Sequence, residues 1–345
     1  MKKFRLLSAI LSCLILCNCQ QGNSQNQVTQ PSEPAGSLYV YKNLAIWLIQ
    51  GKDQVERKYV TLEEAMDKKY IVLHETGSVN QLSVDNKSDK YVFILSGDIV
   101  KGGKQDRTIG SDIILEPGCK NVPLESFCVE QSRWRQRENE SLAEFSSSKK
   151  ILSNKSLKIA ARSEKEQGKV WKEVADFQEK TAENIKKEVK SSVSETSLQL
   201  TLENKDLQSA TKEYLEAIEP FFKDKKDVLG FGFCINGKIS TVDAFGNADL
   251  FAKLKEKLLE SAVNEAISQY SEGKRFENPS QQDIQDFILA AGRGDETITV
   301  TGKNTIEKRY KTNKSILFKT INQDASENPV HFTVYSVENP KETKN

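Results

Sequence analysis

Histidine is nearly absent from this chain, two residues in 345, and its scarcity excludes more chemistry than any motif suggests. His74 and His331 each stand alone inside an apolar, strand-like segment. A histidine-rich metal centre is therefore excluded, and a Ser-His-Asp or Cys-His arrangement would have to be assembled from distant parts of the chain. Each histidine is read as a packed strand residue. No glycine-rich phosphate loop follows a strand and opens a helix, so no motif calls for a cofactor. Excess charge of either sign is missing too. Fifty Lys and Arg against 49 Asp and Glu leave a net charge of +1, far from the basic surface that nucleic acid demands. Beyond the N-terminus no apolar run reaches the roughly 18 residues of a membrane-spanning helix.

What is present begins with an export signal. Lys2, Lys3 and Arg5 precede an apolar run, Leu6 to Leu16, too short to span a bilayer. The run ends Leu16-Cys17-Asn18-Cys19, which has the form of a relaxed lipobox, with Cys19 the better acceptor because Cys17 would follow the bulky Leu16. Residues 1–18 are thus a lipoprotein signal peptide, and plain secretion without a lipid is the alternative. Residues 19–36 form a flexible tether, with one charge, no aromatic residue and too little apolar surface to offset the entropy of ordering. The expectation is an exported, membrane-anchored lipoprotein facing the periplasm or the cell surface. Removing the signal takes away three cations, so the net charge falls from +1 to −2. Of six cysteines, Cys119, Cys128 and Cys234 remain in the mature domain. An odd number leaves at least one thiol free or intermolecularly bonded. Cys119 and Cys128 are close enough in sequence to pair, whereas Cys128 and Cys234 sit among apolar neighbours and are expected to be buried.

The remainder is expected to be α+β, a single domain over residues 37–337 with a short tail at 338–345. Residues 37–137 read as short apolar strands separated by turns, with one helix near Leu62 to Lys68. Residues 138–225 are a charged helical middle. Glu138 to about Val193 carries Val170, Trp171, Val174, Phe177, Thr181 and Ile185 on one helical face, and Lys205 to Phe222 carries Leu207, Ala210, Tyr214, Ile218 and Phe221. In residues 226–337 an Asn236-Gly237 hairpin, helices from Asp249 and from Ser280, and four closing strands are expected to form antiparallel strands with packed helices.

The densest group of polar residues lies between Leu95 and Trp134. If Gly102-Gly103 is a two-residue hairpin loop, Asp98 faces Arg107, and strand alternation sends Gln105 and Arg107 to one face and Asp106 to the other. Cys128 and Glu130 share a face, with Arg133 and Trp134 following. Such a block would suit a compact anion. Gly102 and Gly103 allow close backbone approach, Arg107 and Arg133 offer forked hydrogen bonds, and Gln105 adds an amide. Trp134 supplies a stacking face, and Asp106 and Glu130 are candidates for hydroxyl recognition or for a general base.

The string LSGDIVKGGKQDR followed by CVEQSRW resembles the signature of the ARG and rhodanese-phosphatase-superfamily-associated protein domain, a bacterial family of unresolved function. SEKEQGKVW, VLGFGFCINGKI, LFAKLKEKLLESAVNEAI, GRGDETITV and NPVHFTVY continue the resemblance through most of the chain. The family's association implies work around ADP-ribose or related nucleotides. Two readings follow. In one, a membrane-anchored protein binds a small anionic ligand of the ADP-ribose type and hydrolyses it if the block is catalytic. In the other, the block only braces the fold of a non-catalytic surface interaction protein.

Overall fold

A computed structural model of the protein describes residues 38–103, 105–131 and 145–337. Cys19, the tether, Lys104, Arg133 and Trp134 lie outside the described residues. The chain is α+β. Its first part holds β1 (Leu38–Tyr41), β2 (Leu44–Gln50), β3 (Val60–Thr61), α1 (Leu62–Asp67), β4 (Ile71–Glu75) and β5 (Gln81–Asn86). Then come β6 (Val92–Ile94), β7 (Asp98–Gly102), β8 (Arg107–Ile109), β9 (Ile113–Leu115), β10 (Val122–Cys128) and β11 (Phe145–Leu152). The middle is helical: α2 (Lys155–Lys158), a π-helical turn over Ile159–Glu164, α3 (Gln167–Ile185), α4 (Leu198–Leu202) and α5 (Lys205–Phe222). The hairpin β12 (Val228–Ile235) and β13 (Lys238–Phe245) follows, then α6 (Ala248–Ser268) and α7 (Gln281–Ala291). Four strands close the fold: β14 (Asp295–Gly302), β15 (Thr305–Lys311), β16 (Ser315–Asn322) and β17 (Pro329–Ser336).

An eight-stranded antiparallel sheet in the order β1-β2-β12-β13-β17-β16-β15-β14 unites the two ends of the chain. β2 shows why its apolar run is uninterrupted. Leu44, Ile46 and Leu48 enter one core with Leu250, Leu254 and Leu258 of α6. The alternate Ala45 and Ile49 enter a second core with Ile284 and Ile288 of α7. A strand covered on both faces needs apolar residues at every position. At the hairpin, Asn236 and Gly237 take φ of 52° and 73°, the two positive values a type I′ turn requires. Helix starts are fixed by side chains: Asn247 accepts from the Leu250 amide at 2.8 Å, and Ser280 with Asp283 forms a capping box for α7.

A six-stranded sheet, β11-β7-β8-β10-β5-β4, and a small one, β3-β6-β9, enclose a separate core that includes Leu73, Leu82, Val84, Val100, Ile109 and Leu124. The helical reading of the region from Glu138 is corrected over residues 145–152. These form β11, which pairs antiparallel with β7, Phe145 opposite Gly102 and Ser147 opposite Val100. An edge waiting for a partner overrides the local pattern of a charged segment. The helical face of α3 is as expected, with Val170, Val174, Phe177 and Thr181 buried.

One buried cation in the large sheet has no ion pair among the described residues. Lys319 on β16 is 5 % exposed, faces Lys308 across the β15 pairing, and has its ammonium 5.3 Å from the Tyr310 ring. Burial, and then Lys308, bring its pKa down to about 8. Lys319→Met is expected to raise stability at pH 7 by about 1 to 3 kcal/mol. The lysine's penalty is complete below pH 8 and fades as pH rises toward the unfolded value near 10.5. Urea midpoints of both proteins should therefore differ at pH 7 and converge at pH 10.

Candidate functional site

The Gly-Gly loop and the Cys128 strand are neighbours, as the polar block requires. β8 pairs with β10 so that Cys128 faces Arg107. The two-residue hairpin register is corrected. Val100 faces Arg107 and Ile99 faces Thr108, two residues away from that expectation, because the connection between the strands is longer. Gln105 and Asp106 are consequently loop residues, held from a distance rather than by alternation. The Gln105 amide donates to the Glu130 carbonyl at 2.9 Å, and its oxygen accepts from the Cys128 thiol. The Asp106 carbonyl accepts from the Val129 amide at 3.1 Å, and its carboxylate from the Gly102 amide at 3.3 Å. Asp98, expected opposite Arg107, instead meets Lys257 of α6 at 2.7 Å.

The loop glycines have a physical reason. Gly102 and Gly103 take φ of 115° and 57°, and a Cβ on Gly103 would lie 2.5 Å from Glu75 Oε1 and 2.6 Å from the Phe145 ring. The close approach they allow is used by the protein itself. Arg107 reaches the same place: its guanidinium donates to Glu75 Oε2 at 3.3 Å, to the Ser78 carbonyl at 3.5 Å and to the Val79 carbonyl. Gln105, Asp106, Arg107 and Glu130 are all between 0 and 3 % exposed. The end of β10 is clamped from outside, Gln167 at the start of α3 bonding both the amide and the carbonyl of Cys128. None of Cys119, Cys128 and Cys234 is in a disulfide. Cys234, raised by burial to about 12, is protonated at neutral pH.

A second buried polar cluster escaped the sequence reading. His331 on β17 places Nδ1 2.8 Å from Asp112 and Nε2 3.3 Å from Asp243 of β13. Two carboxylates facing the two ring nitrogens favour the imidazolium form, in which both nitrogens donate. Burial alone would lower its pKa, but Asp112 first and then Asp243 outweigh burial and raise it. Phe245 stacks on the ring at 4.5 Å. Asp112 also accepts from Thr320 at 2.6 Å, from the Ser96 amide at 2.8 Å and from Arg162 at 2.9 Å. Arg162 in turn bonds Glu307 at 2.7 Å and lies over the Phe318 ring. With both nitrogens engaged, His331 has none left for a substrate. This cluster ties the small strands to the large sheet, since Asp112 comes from the loop before β9 and its partners Thr320 and His331 from β16 and β17. Only a histidine inside the apolar segment NPVHFTVY hinted at it.

Among the described residues no group of three His, Cys, Asp or Glu side chains is arranged to hold a metal ion, and no helix is long and apolar enough to cross a membrane. Residues 33–335 match the model of the ARG and Rhodanese-Phosphatase-superfamily-associated Protein domain, so the chain belongs to that family. It is a domain of unresolved function. No curated protein and no solved structure matches the chain.

Proposed function

We propose that this chain is an exported lipoprotein, held at the membrane through an acylated Cys19 and its tether and facing the periplasm or cell surface. Its domain acts through contacts at its surface, and the Gly102 to Glu130 block braces the fold. One observation carries the bracing role: the Arg107 side chain has no exposed surface and is already matched to the Glu75 carboxylate. A guanidinium that is to grip a phosphate must meet it in a solvent-reachable hollow, and the two terminal nitrogens of Arg107 are turned onto the protein's own acceptors.

Calorimetry with ADP-ribose, nucleotides and sugar phosphates is expected to give no saturable heat. Arg107→Met should nonetheless lower stability by about 2 to 3 kcal/mol, because Glu75 and two carbonyls lose a charged donor. Saturable binding that disappears in the folded variant would overturn the bracing role. It would restore the competing reading, a small anionic ligand of the ADP-ribose type with Asp106 or Glu130 as general base if it is hydrolysed. Mass spectrometry of the mature N-terminus tests the anchor, and an unmodified start at any residue other than Cys19 would end that part of the proposal.

A further inference from the structure

We infer that β14 is a self-pairing edge through which two copies of this chain join their eight-stranded sheets about a two-fold axis. β14 ends the sheet. It bonds to β15 on one side, and among the described residues no backbone hydrogen bond reaches its other side. Residues 295–300 are exposed on both faces, with Ile298 54 % and Val300 73 % exposed. An unpaired row of amides and carbonyls is a template for another strand. The segment Thr297-Ile298-Thr299-Val300-Thr301 is uncharged and wholly β-branched, the composition that pairs most readily. Edges that must stay single are usually blunted by lysine, proline or a central bulge. β14 has neither residue, and its one irregularity falls at the far end, between Val300 and Gly302.

The register follows from self-complementarity. Antiparallel pairing about a two-fold through Thr299 sets Ile298 of each copy against Val300 of the other and Thr297 against Thr301. It also brings Asp295 toward Lys303, a turn residue whose ammonium lies 3.5 Å from Glu116, at both ends. Centring on Ile298 would put Asp295 opposite Thr301 and leave the charges unmatched, so the Thr299 register is the one that charge favours. A groove of about 760 Å³ is lined by Thr299–Lys303 together with residues 120–125. This inference deepens the surface-contact role proposed above. It makes no use of the Arg107 block, so its failure and a positive ligand calorimetry are separate outcomes.

Sedimentation of the mature chain, with detergent shielding the N-terminus, should give the mass of two copies near about 100 µM and of one copy after dilution, since a strand-edge contact lies at the small, weak end of interfaces. Val300→Lys, at a position too exposed to disturb folding, should raise the dimer dissociation constant at least about tenfold by setting a charge against Ile298 twice per interface. Thr299→Cys should form a disulfide-linked dimer under mild oxidation, above the background of the native thiols measured in parallel. A monomer at every concentration would overturn the proposal. So would a dimer indifferent to Val300→Lys, or a Thr299→Cys protein that cross-links no more than the parent.

Discussion

Arg162→Met is expected to destabilise the fold by about 3 to 5 kcal/mol, the effect of stranding buried carboxylates without their cation. The Arg162 side chain is fully buried, Asp112 beside it likewise, and Glu307 nearly so. Methionine fills the volume, so the loss reads charge rather than a cavity. It is a large fraction of a typical domain's stability of about 5 to 15 kcal/mol. Adding Glu307→Leu should recover part of the loss by removing one stranded charge. The network also sets a pH signature. Asp112 and Asp243 are held below the usual carboxylate range, by Arg162 and His331 in the first case and by His331 and Lys158 in the second, despite burial. Their contribution is complete above about pH 4 and is lost as pH falls through their folded values. His331 is raised, so its contribution is complete below about pH 6.5 and is lost as pH climbs through its folded value. Denaturation midpoints of the parent should therefore peak in mildly acidic buffer, and in Arg162→Met the acid-side decline should be shallower, because the folded value of Asp112 moves up toward the unfolded one. A loss under about 1 kcal/mol with an unchanged pH profile would show that Arg162 does not hold the network together.

Gly230→Ala is expected to cost about 3 kcal/mol or more, or to prevent folding, while Gly232→Ala two positions on changes stability by less than about 1 kcal/mol. A Cβ on Gly230 would fall 2.1 Å from the Asp243 carbonyl oxygen and 2.7 Å from the Ala244 Cα, backbone atoms of the paired strand that cannot yield. On Gly232 the nearest atom is 3.4 Å away, at the end of the Ile284 side chain. The contrast matters for the polar cluster because Gly230 lets β12 close on β13 at Asp243, the residue that holds the second nitrogen of His331. Thermal unfolding of the two variants side by side decides it, and equal melting temperatures would refute the steric account.

The two glycines of VLGFGFC cannot be told apart in the sequence, because the difference lies in what the neighbouring strand presents to each. The same limit explains the Gly-Gly loop. A two-residue turn is the local expectation for Gly102-Gly103, but Gln105 and Asp106 are held in the connection by Glu130 and Val129, more than twenty residues on. The adjacency of the Gly-Gly loop and the Cys128 strand was legible; the burial of Gln105, Asp106, Arg107 and Glu130 was not. β11 was misread because its strand state depends on the free edge of β7.

Wherever a residue's partner is its own neighbour in the chain, the order of amino acids was enough. The Asn236-Gly237 turn, the capped starts of α6 and α7, and the apolar stripes of α3, α5 and α6 follow from backbone sterics and helical spacing alone. Tertiary structure alone decided that β1 and β2 complete a sheet begun at residue 228, that Arg107 turns inward to Glu75, and that Asp112, Arg162 and His331 meet across separations of 50 and 219 residues. A buried charge takes whichever opposite charge the fold brings within reach, and no periodicity in the chain records that choice.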